Sequence, residues 1–480
     1  MLQVAEDLDS YRADFERFER DDAGRGPQWT QQIRTAAFGR FIELGFPTTR
    51  LEDWKYTNVA PIITTAFRRA GQAQRTLPIE PIESFTLEDV ACAQLVFVNG
   101  CYSSDLSSLK KLPAGVVVSN LATVLACNPA SVKPHLAQHA GFHNQAFVAL
   151  NTAFMEDGAF VFIPKGTVVD APIHLLFVSS SPCDSALGRP PSTEFGAGFE
   201  SPVPAGFQGG ADDKSSVASV SYPRNLIVVE SHSQVRVIES YVGMGHDVYC
   251  TNAVTEIVGG ENAVIDYYKV QRESEEAFHV ATAQVQLGRG GTFSSHTIDL
   301  GGALVRNNLG VALDGDGAEC TLNGLSMATG RQHVDNHTRI DHIRPHCSSR
   351  QLYKGILDGK SRGVFNGKVV VHGAARKTDA RQVNKNLLLS EDAVIDSKPQ
   401  LEIFNNDVKC THGTTIGQHD QDAIFYLRSR GIDPAATRRL LTYAFASELL
   451  SRITIEPIRA RLEALLVTRL GNRSTSEETS

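Results

Sequence analysis

The chain has 480 residues, 42% hydrophobic and 21% charged, with a formal net charge of −8, so it is long enough for more than one structural unit and ordinary enough to be globular. The acidic balance argues against a general nucleic-acid binder, which would need a sizeable basic patch, and no run approaches the roughly 18 apolar residues of a membrane-spanning helix. The eight cysteines are scattered without a C-x-x-C pair, and Glu6, Asp7, Asp9 and Asp14 stand where an export leader would be apolar; reduced thiols in a cytoplasmic protein are expected.

Residues 1–92 read as a helical domain. Ile33, Ala37, Phe41 and Leu44 recur at helical spacing, and Gly45-Phe46-Pro47 stops the run. LEDWKYTNV follows at Leu51–Val59. Its Trp54 and Tyr56 read as a recognition patch or, more commonly for such aromatics, as packing against a neighbouring surface. Leu77–Pro81 is a proline-containing connector. From Leu95 the texture turns to β, with a strand ending in the Asn99-Gly100 turn pair. His135, His139 and His143, spaced by four, would share one face of a helix; with no acidic or thiol neighbour they read as a polar helix face. Phe147 onward reads as mostly β, and Phe160–Ser180 as strand, turn, strand, proline break, strand.

Residues 181–217, rich in Gly, Pro, Ser and Ala, read as a flexible insert between two coils. Beyond it, Ile257–Ile265, Gln286–Phe293 and Ala312–Ala318 are each strand, Gly-rich turn, strand. Aligning Ala263, Thr292 and Ala318 gives spacings of 29 and 26 residues. An imperfect repeat of this length without intervening helices suits a β-solenoid or a sandwich. Gly355–Ser361 places three residues between its glycines where a phosphate loop needs four, so it reads as a β-turn and nucleotide binding by this chain is excluded.

Gln332–Cys347, QHVDNHTRIDHIRPHC, is dense in donors. His333, Asp335, His337 and Arg339 share one face of a strand, and His342, His346 and Cys347 follow. Such groups hold iron or zinc; the plainer reading is a polar ladder whose members satisfy one another. Near the end, Lys398–Gly413 reads KPQLEIFNNDVKCTHG. Cys410 and His412, two apart in a strand, face the same way, a small soft-donor pair. His372 and His419 are lesser candidates. The chain then turns helical. Gly431 closes one helix, Asp433 caps the next and Pro434 fits its first position. Leu440, Leu441, Ala444, Phe445 and Leu449 form one apolar stripe; Ile458, Leu462, Leu465 and Leu466 form another. Neither a G-x-S-x-G elbow nor an H-E-x-x-H zinc motif occurs, and no enzyme activity is expected.

Several long motifs occur in order over nearly the whole chain: LEDWKYTNV at Leu51–Val59, CSSRQLYKGIL at Cys347–Leu357, NKNLLLSEDAVIDSKPQLEI at Asn384–Ile403, KPQLEIFNNDVKCTHGTTIG at Lys398–Gly417, then FYLRSRGI and YAFASELL. In this order they resemble the SufB/SufD family, paralogous subunits of the Suf iron–sulfur cluster assembly machine, and LEDWKYTNV favours the SufD branch. The resemblance implies a mainly β fold: a right-handed parallel β-helix core at 93–418, flanked by helical domains at 1–92 and 419–480. It implies a non-catalytic scaffold that pairs with SufB and binds the SufC ATPase around Phe425–Leu450, where Phe425, Tyr426, Arg428, Arg430, Tyr443 and Phe445 are the contact candidates. By its place in the K-C-x-H-G motif, His412 would face a SufB cysteine across the subunit interface, with Cys410 its neighbour. A transient iron–sulfur cluster, or iron, would be held there. ATP chemistry would belong to SufC, and reduced flavin only to the complex, since no flavin motif occurs here. The rival readings are a SufB-type subunit that carries the cluster itself, a β-helix polysaccharide enzyme, which needs clustered carboxylates, and a metal-delivery protein using Gln332–Cys347. An exposed solenoid edge would also permit homodimers without SufB.

Overall fold

The computed structural model describes residues 2–21, 26–70, 82, 85–87, 90–180 and 218–471. The connector Leu77–Pro81, the insert 181–217 and the polar end Arg473–Ser480 lie outside them. The core is a parallel β-solenoid of about seven turns. One sheet runs, coil by coil, through Ala159–Ile163, Arg224–Val229, Tyr249–Gly259, Phe278–Leu287, Leu304–Leu313, His333–His342, Arg362–Val371 and Val394–Ile403. The second runs through Ile173–Ser179, Gln234–Gly243, Val264–Arg272, Thr292–Asp299, Glu319–Ala328, Ser348–Leu357, Asp379–Leu388 and Lys409–Gly417.

The strands form because alternate residues are apolar and stack on their counterparts one coil away. Ile265, Tyr267, Phe293, Cys320 and Leu322 share one buried core between the sheets. Down one column Val264, Thr292, Glu319, Ser348, Asp379 and Lys409 are in register, so successive coils span 28, 27, 29, 31 and 30 residues. The expected repeat is therefore right, but its alignment is corrected by one residue. Thr292 pairs with Val264, so Gly291 stands in the place of Ala263.

One turn position is left-handed in coil after coil: His232, Asn262, Gly290, Gly317, His346 and Lys377 have φ between 53° and 70°. Each donates its backbone N–H to the turn of the next coil, as His346 does to Arg376 O at 2.9 Å. Glycine and asparagine suit this conformation. Histidine and lysine are held in it by the stacked hydrogen bonds.

The two ends of the solenoid differ. The first is closed by antiparallel pairing, Ala93–Val98 with Cys101–Leu109 and Val117–Asn120 with Ala159–Ile163. Helices Leu121–Cys127, Pro129–Val132 and Ala146–Phe154 pack beside it. The last of these corrects the β reading from Phe147. Eight of its nine side chains are buried, and a segment apolar all round has no helical stripe to distinguish it from a buried strand. His135, His139 and His143 lie in turns, not on a helix. Buried Glu256 draws that loop inward by accepting the backbone N–H groups of Ala137, His139 and Ala140. Helices then flank both sheets. Leu2–Asp21 and Gln28–Leu44 bury Phe15, Phe18, Phe38 and Phe41 with Phe154 and with Cys250, Phe278 and Leu304 of the first sheet. Pro434–Leu450 and Glu456–Gly471 bury Ala446, Leu449, Ile458 and Leu462 on Ile298, Leu325 and Leu352 of the second. The apolar stripe expected at Leu440 and Ala444 is corrected. The helix lies on the sheet through Ala446, Leu449 and Leu450, and Leu440 is turned to solvent.

Candidate functional site

Among the described residues no strand covers the last coil. Val394–Ile403 and Lys409–Gly417 are the terminal strands of the two sheets, and no described strand pairs with their outer edges. Ile403 and Ile416, whose counterparts one coil earlier, Val371 and Asn386, are buried, are here open to solvent, as is Phe404 just beyond the strand at 66%. An uncovered strand edge carrying apolar side chains is a template for another chain. Cys410 and His412 lie on this end. Cys410 is in register with Ala380 and packs against Val369, Val371 and Ala375, so it faces the solenoid interior. His412, two residues on, faces the same way over Gln382 and is exposed. Burial pushes the Cys410 thiol above its ordinary range, which favours the protonated form. One thiol and one imidazole suit iron, but among the described residues no three His, Cys, Asp or Glu side chains gather to hold a metal.

The histidine-rich strand places its donors differently. Asp335 is buried and pairs with Arg306 Nη1 at 2.5 Å and with His337 Nε2 at 3.0 Å. It also accepts the Thr57 hydroxyl, which bonds His333 Nε2 at 2.8 Å. Burial alone would raise the Asp335 carboxyl; Arg306 and His337 outweigh it and hold the group well below the carboxylate range. Trp54 lies over the Arg306 guanidinium at 4.1 Å and stacks on Phe147. LEDWKYTNV is thus a strap across the first sheet, fastened at Thr57 and Trp54, and Glu52 pairs with Lys398 of the terminal strand. His342 points inward, 2.9 Å from Ser349 Oγ, and burial lowers it to about 4. His346 is the left-handed turn residue of its coil. Cys347 is buried, its Sγ 3.3 Å from Gly315 O, and burial raises its thiol. The stretch is dispersed over an outer face, the interior and a turn. Thr57 and Arg306 were not legible as partners of Asp335, since they lie 278 and 29 residues away. His372 bonds Asp341 at 3.1 Å, and His419 bonds Thr442 at 3.0 Å.

Of the C-terminal contact candidates, Phe425 (75% exposed), Tyr426, Arg428 and Arg430 stand outward on and just after helix Gln421–Arg428, which buries no residue. Arg430 lies 3.5 Å from the Tyr426 ring centre. Tyr443 and Phe445 are half-buried against the second sheet, and Lys354 Nζ donates to Phe445 O at 2.7 Å. The first four are exposed to solvent; the last two fix the helix to the solenoid.

Residues 211–445 match the SufBD core domain of the SUF system for FeS cluster assembly, and residues 9–175 match the SufBD protein N-terminal region. An iron–sulfur cluster assembly SufBD family protein of Synechocystis is 33% identical over 434 residues, which span 89% of this chain and 88% of the relative. The iron–sulfur cluster assembly protein SufD of Escherichia coli is 30% identical, over 94% of this chain and 95% of its own. This chain belongs to the SufBD family. A SufD of Bacillus subtilis is 23% identical over 92% of the chain, so likeness to SufD proteins extends over helices and solenoid alike. The SufBD assignment makes the chain an iron–sulfur cluster assembly protein with a mainly β fold. Among the described residues no helix is long and apolar enough to cross a membrane.

Proposed function

We propose that this chain is a non-catalytic scaffold subunit of the Suf machinery, which joins a SufB-type solenoid through its open end and contributes His412 to the nascent cluster. The observation that carries this reading is the pair Cys410 and His412 on an uncovered terminal coil, a partial donor set on a partial surface. A second solenoid docking there would cover Ile403, Phe404 and Ile416, pair the two open strands and supply the missing donors. The cluster is cargo, held while it is assembled. The exposed helix Gln421–Arg428 is the proposed SufC contact, so ATP-driven movement would reach the terminal coil through the helices packed on the second sheet. Flavin chemistry, if the complex has it, would reside with a partner.

The test is co-purification with SufB and SufC, wild type beside His412→Ala, followed by anaerobic reconstitution with iron and sulfide and visible absorption. Equal assembly with a lower cluster yield in His412→Ala is expected. Equal assembly and equal yield would make His412 a structural residue. Failure of the wild-type chain to join either protein would overturn the scaffold reading itself.

A further inference from the structure

The column of inward side chains beneath His412 ends in an atom without a partner. In register down the second sheet, His412 stands over Gln382, and Gln382 over Gln351. Both glutamines are buried, at 1% and 4% exposure. Gln382 Nε2 donates to Gln351 Oε1 at 2.9 Å, and Gln351 Nε2 donates to Thr338 Oγ1 at 2.5 Å. In this arrangement the Gln382 amide nitrogen is spent on Gln351. Its amide occupies space left by Gly367 on the facing sheet, where a Cβ would stand 2.0 Å from Nε2. The other end, Gln382 Oε1, is buried and accepts no hydrogen bond from any described residue. A buried acceptor left unmade costs about 1–3 kcal/mol. One rung above, the exposed His412 ring also has no hydrogen-bond partner among the described residues. Neighbouring strands stand about 4.8 Å apart, so His412 is one rung from that oxygen.

We infer that Gln382 is the positioning residue of His412: its side-chain carbonyl accepts one ring N–H, sets a single tautomer and turns the other ring nitrogen outward from the open end. An amide carbonyl behind an imidazole is a common outer partner of a metal-binding histidine, and it fixes both ring orientation and tautomer. The inference rests on the proposed role of His412 for its purpose, but the hydrogen bond can be tested without metal.

The full chain is labelled with 15N in its histidine rings, and the His412 signals are identified by their loss in His412→Ala. The wild type is expected to show one tautomer at His412. Gln382→Met, similar in length but without the acceptor, is expected to give a mixture of both, while Gln382→Glu, which keeps an acceptor, retains the single form. A mixture in the wild type, or no change in the methionine variant, overturns the inference, and the wild-type spectrum decides even if a variant folds poorly. The second readout is cobalt(II) absorption in the complex with SufB. There Gln382→Met is expected to weaken metal binding by about 10–100-fold with the complex intact. If His412→Ala leaves cobalt binding unchanged while the tautomer result holds, the metal role of His412 falls and the hydrogen bond stands.

Discussion

Asp335 is a buried carboxylate whose partners come from three separate places: Arg306 from the preceding coil, His337 from its own strand, and Thr57 from the strap. Removing it strands the Arg306 guanidinium, itself 2% exposed. Asp335→Ala is expected to lower stability by about 3–5 kcal/mol, because an uncompensated buried charge costs more than the pair contributes. Urea denaturation of both proteins measures it. The pH dependence has a definite sign. The folded carboxyl lies well below its unfolded value, so its contribution is complete above roughly pH 4 and is lost only as pH falls toward the folded value. The difference between wild type and Asp335→Asn should therefore be level from neutral pH down to the carboxylate range and shrink only below it. A difference already shrinking well above the carboxylate range would overturn this account of the Asp335 pairing.

Two elements were taken from outside the solenoid, and they behave differently. The strap at Leu51–Val59 is fastened by a buried hydroxyl and a tryptophan over an arginine. Thr57→Val keeps the shape but leaves His333 and Asp335 without that hydroxyl, a loss of about 1–3 kcal/mol. Hydrogen exchange across the strap should rise while the coils stay protected; uniform protection in the variant would show that Trp54 alone holds it. Helix Gln421–Arg428 is the opposite case, capped by Asp420 and burying nothing. Phe425→Ala is expected to change stability by less than about 0.5 kcal/mol, as surface substitutions do. It should weaken capture of SufC at least tenfold, about 1.4 kcal/mol, read by calorimetry. A destabilised variant would place Phe425 inside the fold instead.

At the scale of the whole molecule, a solenoid needs both ends protected. The first end has antiparallel strands and helices; among the described residues no antiparallel strand covers the last, and Ile403, Ile416 and the adjacent Phe404 are exposed there. On the proposed function this surface is where another solenoid would dock. Phe404→Asp with Ile416→Lys should leave the melting temperature of the isolated monomer within a degree or two, since neither side chain is core, yet abolish association. Sedimentation velocity, alone and with SufB, reads the outcome. Unchanged association would move the interface elsewhere.

Much of this was legible along the chain. The Gly-rich turns at Gly259-Gly260, Gly288–Gly291 and Gly315–Gly317 mark the coils because a tight turn and alternating strands are local properties. The helix caps at Gly431, Asp433 and Pro434 follow from backbone chemistry within a few residues. Cys410 and His412 could be placed on one strand face because their spacing matches the strand period. The one-residue alignment at Thr292 was not fixed, since register is set by contact with the next coil and turn lengths vary. The buried helix Ala146–Phe154 carried no stripe to read. Only the tertiary structure could distribute the histidines of Gln332–Cys347 among an outer face, an interior and a turn. Proximity to Thr57 and Arg306 comes from folding distant segments together. It also decided that the strand with His412 is the last of its sheet, and that exposure to a partner, rather than the residue pair alone, makes the open end a candidate site.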